Sequence, residues 1–153
     1  MSQVGERKVV LIPQRTIAAA GTSIISLSPV TVSGYTSVIF ALNVTAQSGT
    51  TPTLDIYIQQ ELPIVGSSDK VGDVPQGTSV WNDFVHLTQV TTSTGAWFAS
   101  ITGGSNATGP QKDGTLAAAT VISGPIGSRW QVKEIVAGTS PSYTYGLCAI
   151  LIP

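Results

Sequence analysis

Charged residues are scarce in this sequence. Only 15 of its 153 residues are Lys, Arg, Asp or Glu, which is 10% against roughly 25% in an ordinary soluble domain. The net charge is −1, and the seven Lys and Arg are spread along the chain instead of forming the basic stripe of a nucleic-acid-binding domain. We therefore expect no nucleic-acid partner. Because free monomers display charged residues, we also expect that much of this surface meets other protein.

Histidine and cysteine occur once each, as His86 and Cys148. Zinc needs a cluster of such ligands, and the spacing of Asp69 and Asp73 fits no calcium loop, so we expect no metal and no cofactor. The sequence has no Gly-x-Ser-x-Gly elbow and no phosphate-binding glycine loop with a lysine. These absences predict that the chain is not an enzyme. His86 is then interpreted as a structural or surface residue, and Cys148 as a small apolar one.

Long apolar runs are also missing. Residues 9–12 are apolar, but Pro13, Gln14 and Arg15 follow at once, which makes the run too short for a signal peptide. No run approaches the length that spans a bilayer. The single cysteine excludes an intrachain disulfide. We expect a protein that is neither secreted nor bound to a membrane.

Hydroxyl residues and alternating patterns are abundant instead. Ser and Thr together number 36, and period-2 alternation of β-branched and aromatic residues is typical of half-buried strands. Strands are predicted over residues 23–27, 38–45, 54–60, 81–90, 95–101, 120–123, 130–136 and 143–152. Helix signals are nearly absent. About eight strands separated by turn signals predict an all-β fold, an antiparallel β-sandwich or jelly roll, with a closed barrel as the near alternative.

The charges divide the chain into two parts. Four of the 15 lie in the first 15 residues, and none lies between residues 16 and 54. Residues 1–20 are predicted to form an extended N-terminal arm, and residues 21–153 a single β-sandwich domain. The β-prone patch at residues 9–12 fits two interpretations: it adds to the sheet edge of a neighbour, or it is the first strand of the same domain.

Two six-residue segments echo each other. Residues 48–53 read Ser-Gly-Thr-Thr-Pro-Thr and residues 137–142 read Ala-Gly-Thr-Ser-Pro-Ser, each between alternating segments. Gly and Pro at these positions predict two hairpins with the same turn, from a duplication or from convergent turn chemistry. Two long polar loops, residues 63–79 and 102–114, exceed usual hairpin connections and fit either a binding role or a passive excursion.

Segments 48–59, 81–90 and 137–146 together resemble small β-sandwich virion proteins of tailed bacteriophages. In that family a "GT-P-TLD" strand leads through a variable loop to a "W-D" strand, and a "GTSPS" turn starts the last strand. The resemblance covers roughly residues 36–152 and depends on turn chemistry plus Trp81. Within the family, the chain is most similar to the capsid decoration (cement) type of thermophilic long-tailed phage, although its low charge departs from the usual thermophile excess of Lys and Glu.

The resemblance implies a structural virion protein that stands as a homotrimer on the outer capsid surface, with the major capsid protein as its partner. It implies arms or loops that clamp neighbouring capsomers. The charged arm and the two long loops supply the candidate contact residues for this role, with no catalytic or metal residue among them. The candidates are Arg7, Lys8, Val9, Val10, Leu11, Ile12, Arg15, Asp69, Lys70, Asp73, Lys112 and Asp113.

Two alternative functions remain open. The aromatic residues could stack on sugars, which would make the chain a carbohydrate-binding module of a virion. Most of them lie at alternating strand positions, where core or subunit-interface roles are expected. They are Trp81, Trp97, Trp130, Tyr35, Tyr57, Tyr143 and Tyr145. The other alternative is a head–tail or tail structural component, which would assemble as a ring.

Overall fold

The structure is a computed structural model that describes residues 5–64, 66–73, 76–77, 79–103, 111–112, 116–122 and 126–153, with only the backbone at 111–112. Eight strands follow one another along the chain: β1 (Arg7–Ile17), β2 (Gly21–Ser26), β3 (Ser37–Leu62), β4 (Val80–His86), β5 (Gly95–Thr102), β6 (Gln111–Lys112), β7 (Thr120–Val121) and β8 (Trp130–Ile152). The described residues include no helix that could cross a membrane. The predicted all-β antiparallel fold is confirmed.

Two long strands organise the sheet. β3 has 26 residues and β8 has 23, and they pair antiparallel along almost their whole length. Layer 1 is β1, residues 143–152 of β8, residues 37–48 of β3, and β5, paired in that order. Layer 2 is β2, residues 130–136 of β8, residues 54–62 of β3, and β4, with the short strands β6 and β7 beyond β4.

The two layers face each other across one core. As a straight strand, the 20 residues from Phe40 to Gln60 would span about 66 Å. The ring of Phe40 nevertheless lies 5.5 Å from the ring of Trp130, which is the strand partner of Gln60. Phe84 of layer 2 also contacts Phe40, at 5.8 Å in an edge-on arrangement. The sheet is therefore folded back on itself, which is the sandwich that the alternation predicted.

The fold-back occurs at the two echoing segments, and the prediction that each is a hairpin turn is wrong. Neither segment reverses the chain: β3 and β8 continue through them, and the two segments face each other in the β3–β8 ladder. Register shifts at residues 44–46, 48–50 and 50–53 bend the pair there, as in sandwiches whose strands switch sheets at bulges. The strand signals were right, but four of the predicted strands are halves of two.

The segments cross with nearly the same geometry. Gly49 and Gly138 have φ values of 120° and 112°, and Thr51 and Ser140 have φ values of 48° and 49°. A Cβ on Gly49 would lie 2.8 Å from the carbonyl oxygen of Ser140, and one on Gly138 would lie 2.7 Å from that of Thr51. Each glycine is needed because its partner's backbone occupies the space of a side chain.

The N-terminal segment forms a strand of the domain. β1 pairs with β8 from Arg7 to Ile17, with two register shifts, and Leu11 and Ile12 are buried in the core. Residues 9–12 therefore belong to the first strand of the same domain and do not add to the sheet edge of a neighbour. Edge pairing and core burial hold residues 7–17 in layer 1. The short strand β6 lies inside the predicted long loop at residues 102–114.

Candidate functional site on the outer faces of the sandwich

The outer face of layer 1 is apolar at its centre, and polar side chains such as Gln14, Thr45 and Thr144 lie towards one end. Ladder pairs place Val10 beside Cys148, Cys148 beside Ala41, and Ala41 beside Phe98, so one row crosses all four strands. Val10 and Phe98 are each 68% exposed, which is unusual for side chains of this size. Three of the four strands carry no charged residue at all. We call the outer surface of these four strands the apolar face.

The apolar face contains a groove of about 500 Å³. Its floor is built from small residues, Ala41, Ala96 and Gly146, and its walls include Pro13 and Phe98. Gly146 contributes no side chain, so the bulged part of β1 approaches to 3.5 Å of where its Cβ would be. A ridge of apolar side chains from another protein fits such a groove better than a charged ligand does.

The outer face of layer 2 is largely polar, and its β4 side is covered. Gln59 donates to Asp83 at 2.8 Å, and Gln131 donates to Gln59 at 2.7 Å. All three side chains are buried, and the segment of residues 116–122 lies against the β4 side of this row. The amide of Leu116 donates to the carboxylate of Asp83 at 3.2 Å, and β7 pairs with β4. We call residues 116–122 the covering segment.

His86 connects the covering segment to the sheet. Its Nδ1 lies 2.7 Å from the carbonyl oxygen of Leu116, and its Nε2 lies 3.0 Å from Oδ1 of Asp55. Gln89 donates to the other oxygen of Asp55 at 2.8 Å, and Tyr57 stacks on the imidazole at 3.8 Å. A carbonyl and a carboxylate can only accept, so both nitrogens must donate, which requires the imidazolium form.

The pKa values agree with this charged pair. Burial lowers the pKa of His86. The hydrogen bonds to Asp55 and Leu116 and the charges of Asp55 and Asp83 raise it by more than burial lowers it, so the net pKa lies above the ordinary value of 6.5. Burial raises the pKa of Asp55. Its hydrogen bonds to His86 and Gln89 lower it by more than burial raises it, so the net pKa lies below the ordinary value of 3.8. With both nitrogens engaged, His86 has no free atom for base chemistry.

Strict alternation along β4 would place His86 on the same face as Phe84, but the two side chains lie on opposite faces. A register shift between Ile58 and Gln59 breaks the alternation of β4. Phe84 therefore packs in the core against Trp130, while His86 lies on the outer face. A bulge of this kind has no signal in the alternating pattern itself.

A second buried charge links the layers through the core. Arg15 of β1 donates to Glu134 of β8 at 2.7 Å, and the hydroxyl of Tyr145 also donates to Glu134. Burial, followed by the hydrogen bond to Glu134, raises the pKa of Tyr145, so this hydroxyl stays protonated. Sequence reasoning missed the contact, although Glu134 occupies the apolar phase of residues 130–136, which signals a charge that faces inward.

The predicted contact residues do not form one site. On β1, Leu11 and Ile12 are buried, Val9 packs against the core, and Arg15 binds Glu134, so these four make internal contacts. Arg7, Lys8 and Val10 are exposed.

The predicted loop residues lie elsewhere. Asp69 accepts from the amides of Gly66 and Gln76, and Asp73 accepts from the amide of Lys70, so these carboxylates stabilise their own turn. Lys112 pairs through its backbone with Asn82 of layer 2, and Asp113 lies outside the described residues.

Most of the aromatic set is structural. Trp130, Tyr143 and Tyr145 are almost fully buried, Tyr57 lies under His86, and Trp97 and Tyr35 pack against the core. The hydroxyl of Tyr143 donates to the carbonyl oxygens of Val90 and Thr91. Trp81 alone is left for stacking on a sugar. These seven residues therefore build no flat platform, and the exposed ring of Phe98 lies apart from Trp81 on the apolar face.

Comparisons with family models, with curated proteins and with solved structures find no match to this chain. Within the described residues, no group of three or more His, Cys, Asp or Glu could hold a metal ion.

Proposed function

We propose that this protein is a structural virion subunit, a capsid decoration protein that trimerises on the outer capsid surface and stabilises the shell. One observation carries the proposal: the outer face of layer 1 has an exposed apolar centre and is almost uncharged, while the polar outer face of layer 2 is covered on its β4 side by the protein's own chain. Large exposed apolar patches mark interaction sites. The resemblance to phage decoration proteins supplies the kind of assembly.

A second copy of the chain is the partner that suits the apolar face. An uncharged face is best matched by a surface that is itself uncharged, because burying an unpaired charge is costly. This chain, at 10% charged residues, offers such a surface. In a trimer, each copy would bury its apolar face against the next one. The contact is heterologous, and the three-fold ring closes it.

The edges of layer 1 support this assignment. β1 carries Arg7, Lys8 and Pro13 along an edge broken by two register shifts, and such features prevent edge pairing. β5, the opposite edge, has neither charge nor proline, and within the described residues it pairs on one side only, with β3. We assign β5 and the adjacent Phe98 to the trimer contact. The exposed cations Arg7 and Lys8 are assigned to contact with the major capsid protein.

The mechanism is a linkage effect and needs neither catalysis nor a cofactor. A subunit that binds only the assembled shell stabilises that shell by mass action. A trimer multiplies three weak contacts through effective concentration. Few charged groups need to be desolvated when the subunit binds the shell.

Native mass measurement of the purified chain tests the assembly. We expect a trimer for the wild type and loss of the trimer for Phe98→Ser. Val71→Ser is the matched control, because Val71 is a fully exposed apolar side chain on a turn away from layer 1. A monomeric wild type would contradict the proposal, and a larger ring would favour the head–tail or tail alternative.

Binding to capsids tests the virion role. We expect the trimer to occupy purified capsids that lack decoration, and expect Phe98→Ser to occupy them less. A glycan array run with the same protein separates the carbohydrate alternative. Micromolar sugar binding together with no capsid binding would replace our proposal with that one.

A further inference from the structure

The covering segment depends on one side chain that can lose a proton near neutral pH. His86 is 5% exposed and donates to groups on both sides: Asp55 of β3 and the carbonyl oxygen of Leu116. Neutral imidazole has one N–H and can donate to only one of them. A single deprotonation therefore leaves a buried acceptor without its donor.

The two contacts are not equally strong. The bond to Asp55 joins an N–H to a carboxylate, and hydrogen bonds to charged acceptors are the stronger kind. After deprotonation, the remaining N–H stays with Asp55, and the Leu116 carbonyl loses its partner. Leu116 is 7% exposed, so its carbonyl reaches water only if the segment moves.

Within the described residues, few other hydrogen bonds retain the covering segment. The amide of Leu116 donates to Asp83 at 3.2 Å, β7 contributes two register pairs with β4, and the amide of Ile122 donates to Phe84 at 2.9 Å. The segment itself contains no charged residue. Its attachment at Leu116 therefore depends largely on the protonation state of His86.

In the described part of the chain, the groups that face His86 favour its charged form or are neutral. Asp55 and Tyr57 face it from β3, and Asp83 faces it from its own strand β4. Lys133 of β8 pairs with Tyr57, one position further from the imidazole. The covering segment and β5 contribute no titratable side chain.

We infer that His86 is a pH-sensitive latch: as the imidazolium it holds the covering segment on layer 2, and as neutral imidazole it releases the segment. Release exposes Asp83, which accepts from the Leu116 amide at the β4 end of the polar row. The inference does not rest on the proposed assembly role, although Phe98 of β5 lines one cavity with His86 and Val121 of the covering segment.

The sign follows from the two protonation states. The pKa of His86 in the folded protein is above its ordinary value of 6.5, so the stabilising effect is fully present below about pH 6.5. It is lost as the pH rises through the higher folded value. Because the pKa of Asp55 is lowered, the pair weakens again only at strongly acidic pH.

Nuclear magnetic resonance of the ¹⁵N-labelled full chain tests the latch between pH 5 and 9. We expect the His86 ring nitrogens to titrate with a midpoint above 6.5. Hydrogen exchange of the amides at residues 120–122, corrected for intrinsic rates, should lose protection at the same midpoint. A neutral ring throughout, or protection that does not change with pH, would overturn the inference.

A charge-neutral variant separates a latch from a merely structural contact. Asp55→Asn keeps an acceptor oxygen but removes the negative charge, so the midpoint should fall by about one pH unit. Asp73→Asn is the control, because Asp73 is an exposed carboxylate in a distant turn and should leave the midpoint unchanged. An unshifted midpoint in a folded Asp55→Asn contradicts the latch. If that variant does not fold, the wild-type titration alone decides.

Discussion

Layers 1 and 2 have the same strand pattern but opposite outer faces. In each, a half of β3 and a half of β8 form the centre, and two shorter strands flank them. Layer 2 buries a polar row whose β4 side is covered by its own chain, while layer 1 leaves Val10 and Phe98 exposed. The shared core fixes the pattern of both layers, and the outer faces are free to differ. Function is therefore to be sought in the difference between these faces.

Substitutions at the crossing of β3 and β8 should have the largest effect, and they test whether the two crossing segments are structurally equivalent. Gly49→Ala and Gly138→Ala should each destabilise the fold by about 3 kcal/mol, because each combines a positive φ with a backbone clash below 3 Å. Since the two geometries match, the two losses should be similar. Urea unfolding followed by tryptophan fluorescence measures both.

Two control glycines separate the strain from the clash. Gly72 has a φ of 91° but nothing near its Cβ position, so Gly72→Ala should cost about 1 kcal/mol. Gly5 has open space and no positive φ, so Gly5→Ala should have almost no effect. If Gly49→Ala resembled the Gly72 control while Gly138→Ala was severe, the two segments would not be equivalent.

Arg15 and Glu134 test what joins the two layers. Arg15→Met should destabilise the protein by about 3 kcal/mol, because it leaves the buried carboxylate of Glu134 with the Tyr145 hydroxyl alone. Arg15→Met combined with Glu134→Gln should recover part of this loss, since the double variant buries no unpaired charge. Thermal unfolding of four proteins at neutral pH, the wild type, Arg15→Met, Glu134→Gln and the double variant, measures the coupling.

The exposed ion pair of Lys8 and Glu6 is the control for that cycle. The two side chains are 76% and 54% exposed, and pairs of this kind contribute about 0–1 kcal/mol. A loss in Lys8→Met as large as that in Arg15→Met would show that general charge balance, and not the buried contact, determines the stability.

The sequence predicted the strands well but not their connections. Alternation depends on burial on one face of a strand, so residues 38–45, 54–60, 130–136 and 143–152 could be located from local pattern alone. The Gly-Thr-x-Pro segments predicted hairpins because a bend with positive φ has the same local chemistry whether the chain reverses or crosses another strand. Whether the chain reverses or crosses is decided by the partner segment, and the partner of Gly49 lies 89 residues away at Gly138.

The contacts of the charged side chains were also hidden by distance along the chain. Arg15 and Glu134 are 119 residues apart, and His86 and Asp55 are 31 apart. Nothing in the residues near either partner indicates the other. The exposed Phe98 had a local signal, since Trp97 and Phe98 are adjacent on β5 and only one of them can face the core.

Cys148 gives the mildest test of the difference between the layers, because it needs no substitution. Its half-buried thiol lies in the groove of the apolar face, beside Val10 and Ala41. If that face is the trimer contact, alkylation of Cys148 by a maleimide should slow as the protein concentration rises, in proportion to the fraction of free subunit. The Phe98→Ser variant should react at one rate at all concentrations. A wild-type rate that does not depend on concentration, in protein shown to be trimeric, would place the subunit contact elsewhere, on the edges or on layer 2.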